Sequence, residues 1–459
     1  MTISLLAISL VVLVLLFVLL PNLRVQSLPL ISIDGAAPPD DTPVQRELNP
    51  NIQRKPSAPN SSTARVIVTN APSPIAVPVP EIASEPSALF GNGTGDGTDF
   101  GEGMDPGGKY NPIPGVMKKR CSREDRLQRL QASGGNEKCE EAVLAALRWM
   151  KDSQAKGGSW GGNTKVAYTG LALLAFLGHC ETPTSVEFGD CVTNSITFLI
   201  NNCQKNKGRM ASNLQDKHWS YSHAIATYAL AEAFTFGKAE NAVLPGLQES
   251  VQQSVQWIID NQNQSGGWEY SYQDAGNRGG DMSITAWQMQ ALKAGKHTGL
   301  EFRNLRSCIS KALAYCEKCQ AGSGAFGYAG PAPLGKHATL TGAGTLCFQQ
   351  HKGAANSQAR KGIRYLDKES TFNYKTGPCN LYEHYYSSQA TINHGGKSWE
   401  AYNKMFRDQL LEHQNKDGSW PAPPQPGPGA RGDAIYVTSL ATLMLEVYYR
   451  FLPGTAAGK

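Results

Sequence analysis

An excess of charge of either sign is nearly missing from this chain of 459 residues. Its 43 Lys and Arg against 38 Asp and Glu leave a formal charge of only +5. The longest basic run is Lys118-Lys119-Arg120, too little positive charge to neutralise a nucleic-acid backbone, so no nucleic-acid partner is expected. Long apolar runs are also scarce: a single stretch could cross a bilayer, which excludes a multi-span membrane protein. Phosphate loops, dinucleotide fingerprints, nucleophile elbows and HExxH helices are all missing, and no cofactor is expected. Tryptophan and cysteine do not occur in the first 120 residues, although the chain holds eight Trp and ten Cys.

The one apolar stretch runs from Ile3 to Leu20 without a charge. As a helix it would be about 27 Å long, just enough for the hydrocarbon core. A cleaved signal peptide would need a basic segment before it and a small-residue cleavage site after it. Neither is present, so residues 1–24 read as an uncleaved N-terminal membrane anchor. Residues 25–117 read as a disordered Pro/Gly-rich linker, with fifteen of the 27 prolines between Pro29 and Pro114. About ninety such residues reach on the order of 50 Å as a coil and hold a domain clear of the membrane. The even cysteine count and this spacer favour the extracytoplasmic side, whereas Arg24 alone would favour the inside.

Residues 118–459 form the folded part, and they repeat. Each unit has an amphipathic helix ending in Gln, a Gly-aromatic turn, and a helix rich in small residues. The third unit is the cleanest: Trp257, Gln262, Gly266-Gly267-Trp268, then Thr285-Ala286-Trp287. The first has Gln154, Gly157-Gly158-Ser159-Trp160 and Tyr168-Thr169-Gly170. The second has Gln204, Gly208 and a longer turn to Trp219, then His223-Ala224-Ile225-Ala226. The fourth has Gln320, Gly324-Ala325-Phe326 and Thr341-Gly342; the last has Gln414, Gly418-Ser419-Trp420 and Thr438-Ser439. A fifth, degenerate unit surrounds Gly377-Pro378. The second helix of each pair is apolar almost all round and must be buried on every side, while the first carries charge on one face. An inner ring of six helices inside an outer ring of six follows, with the Gln-Gly-Trp element as a stacking clamp between an outer helix and the next turn.

These repeats resemble the QW-type repeats of the squalene cyclase and protein prenyltransferase superfamily over about residues 139–453, most specifically at Gln262–Trp268. The resemblance implies an all-α fold, an α6/α6 toroid, here preceded by a transmembrane helix and a linker. It also implies where chemistry should sit. Triterpene cyclases of the family carry an Asp-x-Asp-Asp acid; the matching segment keeps Asp281 but has Ser283 and Ile284 in place of the next two acids. Protein prenyltransferases carry a zinc-binding Asp-x-Cys in the same segment, and Ser283 again stands where the thiolate belongs. There is no Cys-Gly-Glu-Gln thioester either.

Asp281 follows Gly279-Gly280 and opens an inner helix, so it reads as an N-cap as readily as an acid, and Asp433 repeats that arrangement. Candidate catalytic residues are Asp281, Glu383, His337 and Asp433. Candidate cavity-lining residues are Tyr168, Trp219, His223, Ser283, Trp287, His384, Tyr385 and Tyr436, whose aromatic walls would suit an isoprenoid chain or a developing cation. Ordinary packing of inner helices explains the same residues. Glu383 and His384 with His337 could bind a metal but lack a third close ligand, so no metal is expected. Cys316 and Cys319 form a lone CxxC that reads as buried thiols, and Cys180 with Cys191 is a possible loop disulfide.

Two functions fit: a non-catalytic, membrane-anchored module that binds an isoprenoid-type lipid or an envelope protein, and an isoprenoid-acting enzyme with a non-standard acid. A carbohydrate-active toroid is a third, requiring paired carboxylates about 5–9 Å apart.

Overall fold

The computed structural model describes residues 120–273, 279–335, 339–425 and 432–450. The expected anchor, the linker and His337 lie outside these residues. Among the described residues no helix is long and apolar enough to cross a membrane.

The described chain is helical. After α1 (Arg123–Ala132) come α2 (Glu137–Asp152), α3 (Lys165–Gly178), α4 (Gly189–Lys205), α5 (Trp219–Glu240) and α6 (Leu247–Asp260). Then follow α7 (Met282–His297), α8 (Leu305–Lys318), α9 (Thr341–Lys352), α10 (Ser357–Glu369), α11 (Leu381–His394), α12 (Gly396–Glu412), α13 (Ala434–Leu445) and the single turn α14 (Val447–Arg450).

Burial separates these helices into two sets. Along α3 every residue from Val166 to Gly178 is buried, and α5, α7, α9, α11 and α13 are buried nearly throughout. In contrast, α10 buries only Ala359, Gly362, Ile363 and Leu366, one stripe at helical spacing. The fully buried helices contact one another in chain order, α3 on α5, α5 on α7, and so on to α13, which packs back on α3. Small residues permit the close approach: a side chain at Gly170 would meet the backbone of Ala226, and one at Gly342 would meet that of Ser387.

The repeat motif is a hydrogen-bonded device, where stacking had been expected. In the third unit the Gln262 side-chain amide donates to the carbonyl of Gly266 in its own turn, at 2.8 Å. It also donates to the carbonyl of Cys308 on α8, at 2.8 Å. The Trp268 indole donates to the Ile258 carbonyl at 2.8 Å, and the Trp268 backbone N–H donates to Thr285 Oγ1 on α7 at 3.2 Å. One Gln-Gly-Trp turn therefore joins its outer helix, the next outer helix and the following inner helix. Gly266 has φ +96°, and a Cβ there would collide with the Lys311 carbonyl, so the turn demands glycine.

The same bonds recur from Gln154 to Cys191, from Gln320 to Gln358 and from Gln414 to Ala142. Backbone N–H groups of Trp160, Phe326 and Trp420 reach Thr169, Thr341 and Thr438.

The second unit departs from this plan and corrects the expected alignment. Met210, fully buried, holds the place that Trp268 holds in the third unit. Its N–H donates to His223 Nδ1 at 3.0 Å, so His223 replaces the threonine. Trp219 begins α5 and is not the turn aromatic. In the fifth unit Tyr374 fills the buried turn position, its N–H donating to Gln409 Oε1 and its hydroxyl to the Pro421 carbonyl.

The disulfide joins Cys121 to Cys180, and Cys191 is a free buried thiol on α4. The expected Cys180–Cys191 bridge is thus replaced by one that ties the start of the domain to the end of α3. Cys316 and Cys319 are free and buried.

Candidate functional site at the starts of the inner helices

Contacts between first turns show that the buried helices run in one direction. The Tyr168 hydroxyl at the start of α3 donates to Asp433 Oδ2, just before α13, at 2.6 Å. Tyr221 near the start of α5 bonds Ser283 Oγ near the start of α7, at 2.6 Å. Tyr382 in the first turn of α11 donates to the Ser283 carbonyl at 2.9 Å. Five of the six inner helices thus bring their N-termini to one end.

Asp281 is the N-cap of α7. Its Oδ1 accepts the Ser283 backbone N–H at 2.9 Å and also the Ser283 hydroxyl. Because Ser283 spends its proton on the carboxylate, Tyr221 is the donor in the Tyr221–Ser283 bond. A chain of hydroxyls therefore runs from Tyr221 through Ser283 to Asp281. Burial, reinforced by the Asp281 charge, pushes the Tyr221 phenol well above its ordinary range. Asp281 itself is 1% exposed. A carboxyl so enclosed, with one oxygen held by two donors from Ser283, caps a helix and has little surface for a substrate.

Asp433 occupies the residue before α13 but makes no side-chain cap bond and is exposed. Here the expected parallel with Asp281 fails, because Tyr168 captures the carboxylate. Tyr168 and Tyr436 rings lie 5.9 Å apart beside it.

The aromatic residues expected to line a cavity are packed on one another. Trp287 stacks on Tyr385 at 5.3 Å and meets Tyr386 edge-on at 5.4 Å; none of the three is more than 2% exposed. Trp219 packs at 4.8 Å on Tyr272, whose hydroxyl donates to Gln288 Oε1. These rings pack on one another between the helices.

His223 and His384 are turned to neighbouring helices. With its Nδ1 accepting from Met210, His223 donates from Nε2 to the Ser254 carbonyl on α6, at 3.2 Å. Burial pulls its pKa down to about 3. His384 Nδ1 bonds the Tyr402 hydroxyl of α12 at 2.6 Å and its ring meets Phe372 edge-on. Both residues hold outer helices to inner ones. Glu383 is buried, with its backbone N–H on Asn380 Oδ1. Among the described residues no group of His, Cys, Asp or Glu could hold a metal ion.

An open hollow of about 500 Å³ lies beside this end, lined by Gly162, Asn163, Lys165, Ser212, Asn213 and Asp216. None of these residues is among the candidates drawn from the sequence, because loop residues without a repeat carry no periodic signal. Tyr221 and Tyr382 were missed for a different reason: their role lies in partners on other helices.

The arrangement defines an all-helical repeat protein with a polar, tyrosine-rich face at the starts of its inner helices. The sequence matches no protein-family model and no curated protein. The structure is similar to the apo type II terpene cyclase MstE from Scytonema, with 13% identity over 68% of this chain and 97% of that one and a TM-score of 0.45. It is similar also to a protein from Actinoplanes (13% identity, 68% of this chain, 99% of that one, TM-score 0.43). A glycosidase gives 9% identity over 69% of this chain and 98% of that one, with a TM-score of 0.46. Likenesses at this distance assign no substrate and no residue role to this chain.

Proposed function

We propose that this protein is a membrane-anchored α6/α6 toroid of the squalene cyclase and prenyltransferase type that serves as a non-catalytic binding module. Residues 1–24 are its anchor, 25–117 its tether and 118–459 its toroid. The toroid reading is supported by the QW-type repeats and by the cyclic order of inner-helix contacts. An extracytoplasmic location is supported by the Cys121–Cys180 disulfide, since such bonds persist in oxidising compartments.

The observation that carries the non-catalytic reading is the Asp281–Ser283 pair. The retained acid is buried and holds the helix start, and the residue that should supply a proton or a thiolate is a serine bonded to it. The partner is an isoprenoid-type lipid or an envelope protein that meets the tyrosine-rich face. Full-length protein, purified in detergent, is incubated with squalene and with geranylgeranyl diphosphate plus an acceptor peptide, and extracts are analysed by mass spectrometry. No cyclised or transferred product is expected. Product that forms with wild type and disappears with Asp281→Asn overturns the reading.

One observation favours an isoprenoid-acting enzyme as the second reading: the hydroxyl chain joins the enclosed Asp281 to the half-buried Tyr221. In that case Asp281 would carry the proton and, with both hydroxyl bonds reversed, pass it through Ser283 and Tyr221, and Tyr221→Phe would abolish turnover without moving the melting temperature more than a few degrees.

A further inference from the structure

The net charge of the chain is small, but it is not spread evenly round the outer helices. Helix α6 carries Glu249 and Asp260 and no Lys or Arg, whereas α8 and α10 together carry seven cations against three carboxylates. On α10 the buried stripe of Ala359, Gly362, Ile363 and Leu366 fixes the inward side. At 3.6 residues per turn, the residues within about 40° of the outward direction are Ser357, Lys361, Arg364 and Lys368. Both acids of this helix, Asp367 and Glu369, lie about 90° or more away from that line. Asp367 is turned to α12, where it accepts from Ser398 Oγ at 2.8 Å.

Contacts between outer helices extend the line. Gln320, just after α8, donates to the Gln358 carbonyl at 2.9 Å, and Gln358 Nε2 donates to Glu317 Oε1 at 2.6 Å. Lys318, the last residue of α8, therefore borders the start of α10. The Ser398–Asp367 bond brings Lys397 at the start of α12 to the end of α10 in the same way. Lys318, Lys361, Arg364, Lys368 and Lys397 are all exposed. Among the described residues Lys318, Lys361, Arg364 and Lys397 make no side-chain hydrogen bond or ion pair. Lys368 meets Glu369 at 3.2 Å, an exposed contact of little worth in water.

Such a line is unfavourable to the helix that carries it. Arg364 has Arg360 and Lys368 four residues to either side and Lys361 three before it, spacings at which like charges repel. An acid on this line would relieve the repulsion, and α10 holds both of its acids off it. A protein interface needs large apolar anchors at its centre. The exposed large hydrophobic residues are Val186, Val243, Tyr328 and Leu334, none of them on α8, α10 or α12. Nor does the line suit one small anion, because its cations spread over about 10 Å of a convex helix from Lys361 to Lys368. A broad anionic surface meets all of them at once.

We propose that the outward face of α10, with Lys318 and Lys397 at its two ends, docks on the headgroups of anionic phospholipids. Clusters of this size beside a membrane bind such lipids by charge alone, at roughly fivefold per cation. The choice of a bilayer rests on the anchored reading above. In that reading the tether joins the toroid at Arg120, which stands 3.7 Å from Glu232 of α5. A tether reaching on the order of 50 Å as a coil lets the toroid turn this face to the membrane.

The test uses full-length protein in lipid nanodiscs of phosphatidylcholine, with and without phosphatidylglycerol, followed by hydrogen exchange. Amides of α10 are expected to exchange more slowly in the phosphatidylglycerol discs, and the difference should vanish in about 1 M sodium chloride, where screening acts within about 3 Å. The triple variant Lys361→Gln, Arg364→Gln, Lys368→Gln should lose the difference and keep its melting temperature, because all three side chains are exposed. Lys361→Arg with Arg364→Lys should retain it. Equal exchange of α10 in the two discs, or a phosphatidylglycerol effect that survives in the triple variant, overturns the proposal. Protection of α10 by soluble poly-glutamate but not by phosphatidylglycerol also overturns it and gives the face to an acidic protein. Loss of the protein from phosphatidylcholine discs would count against the anchor alone, and phosphatidylglycerol vesicles added to the freed protein would then read the same protection of α10.

Discussion

The Gln414 side chain donates to the Ala142 carbonyl at 2.8 Å, closing the outer helices across 272 positions of sequence. Gln154, Gln262 and Gln320 make the same bond to the next outer helix in the chain, but for Gln414 the next helix is α2, near the start of the domain. The bond that ends the series is the one that binds its last member to its first.

Replacing Gln414 by Leu leaves two carbonyls, of Ala142 and Gly418, without their donor. The expected cost is about 2 kcal/mol, from two bonds of roughly 1 kcal/mol each. Thermal unfolding should show a loss of several degrees, and hydrogen exchange should show faster opening of α2 and α12 than of α6 and α8. Gln262→Leu should give a similar total loss with that local pattern reversed. Identical exchange maps for the two variants would contradict the closing role.

His223 predicts the acid limb of stability. Its native pKa of about 3 lies below the unfolded value near 6.5, so the unfolded chain binds a proton that the native one refuses. The stability from keeping it neutral is complete above pH 6.5 and is lost as pH falls from about 6.5 towards 3, by several kcal/mol at the end. His223→Asn keeps an acceptor near the Met210 N–H and removes the titration. Its acid unfolding midpoint, followed by circular dichroism, should move to lower pH; an unchanged midpoint would show that His223 is not a principal acid trigger.

Glu446 works in the other sense. Its native pKa is raised, so the unfolded chain releases a proton that the folded one retains. Stability is therefore full below the unfolded pKa of about 4.3 and declines as pH rises above it. Glu446→Gln removes that decline. The variant should match wild type near pH 4 and unfold at higher temperature near pH 8, and a lower melting temperature at pH 8 would count against a neutral Glu446.

Cys121 and Cys180 enclose a loop with a separation of 59 residues. Loop-closure entropy alone sets an upper estimate of about 4 kcal/mol for this bond. Cys121→Ser should lower the melting temperature and release Arg120 from Glu232, so that α1 exchanges its amide hydrogens early. Peptide mapping without reductant should show the Cys121–Cys180 link and no Cys180–Cys191 link.

What the sequence determined alone is the local pattern. Helix pairs, buried inner helices and the Gln-Gly-Trp turns were legible because each depends on spacing within about twenty residues: an apolar face at helical period, a glycine where φ must be positive, a threonine one turn into the next helix. The N-cap role of Asp281 was legible for the same reason, since a cap bonds the backbone two residues on. Tertiary structure alone decided where the long-range bonds go. Gln414 meets Ala142 through a backbone carbonyl, a group every residue has, so no side chain announced it. Asp433 looks like Asp281 in sequence, yet Tyr168, 265 positions away, takes its carboxylate. His223 was a candidate cavity-lining residue by sequence, and only the fold shows its two nitrogens bonded to Met210 and Ser254. Which rings meet, Trp287 with Tyr385 or Trp219 with Tyr272, depends on how closely helices approach, and that distance is a property of the assembled set.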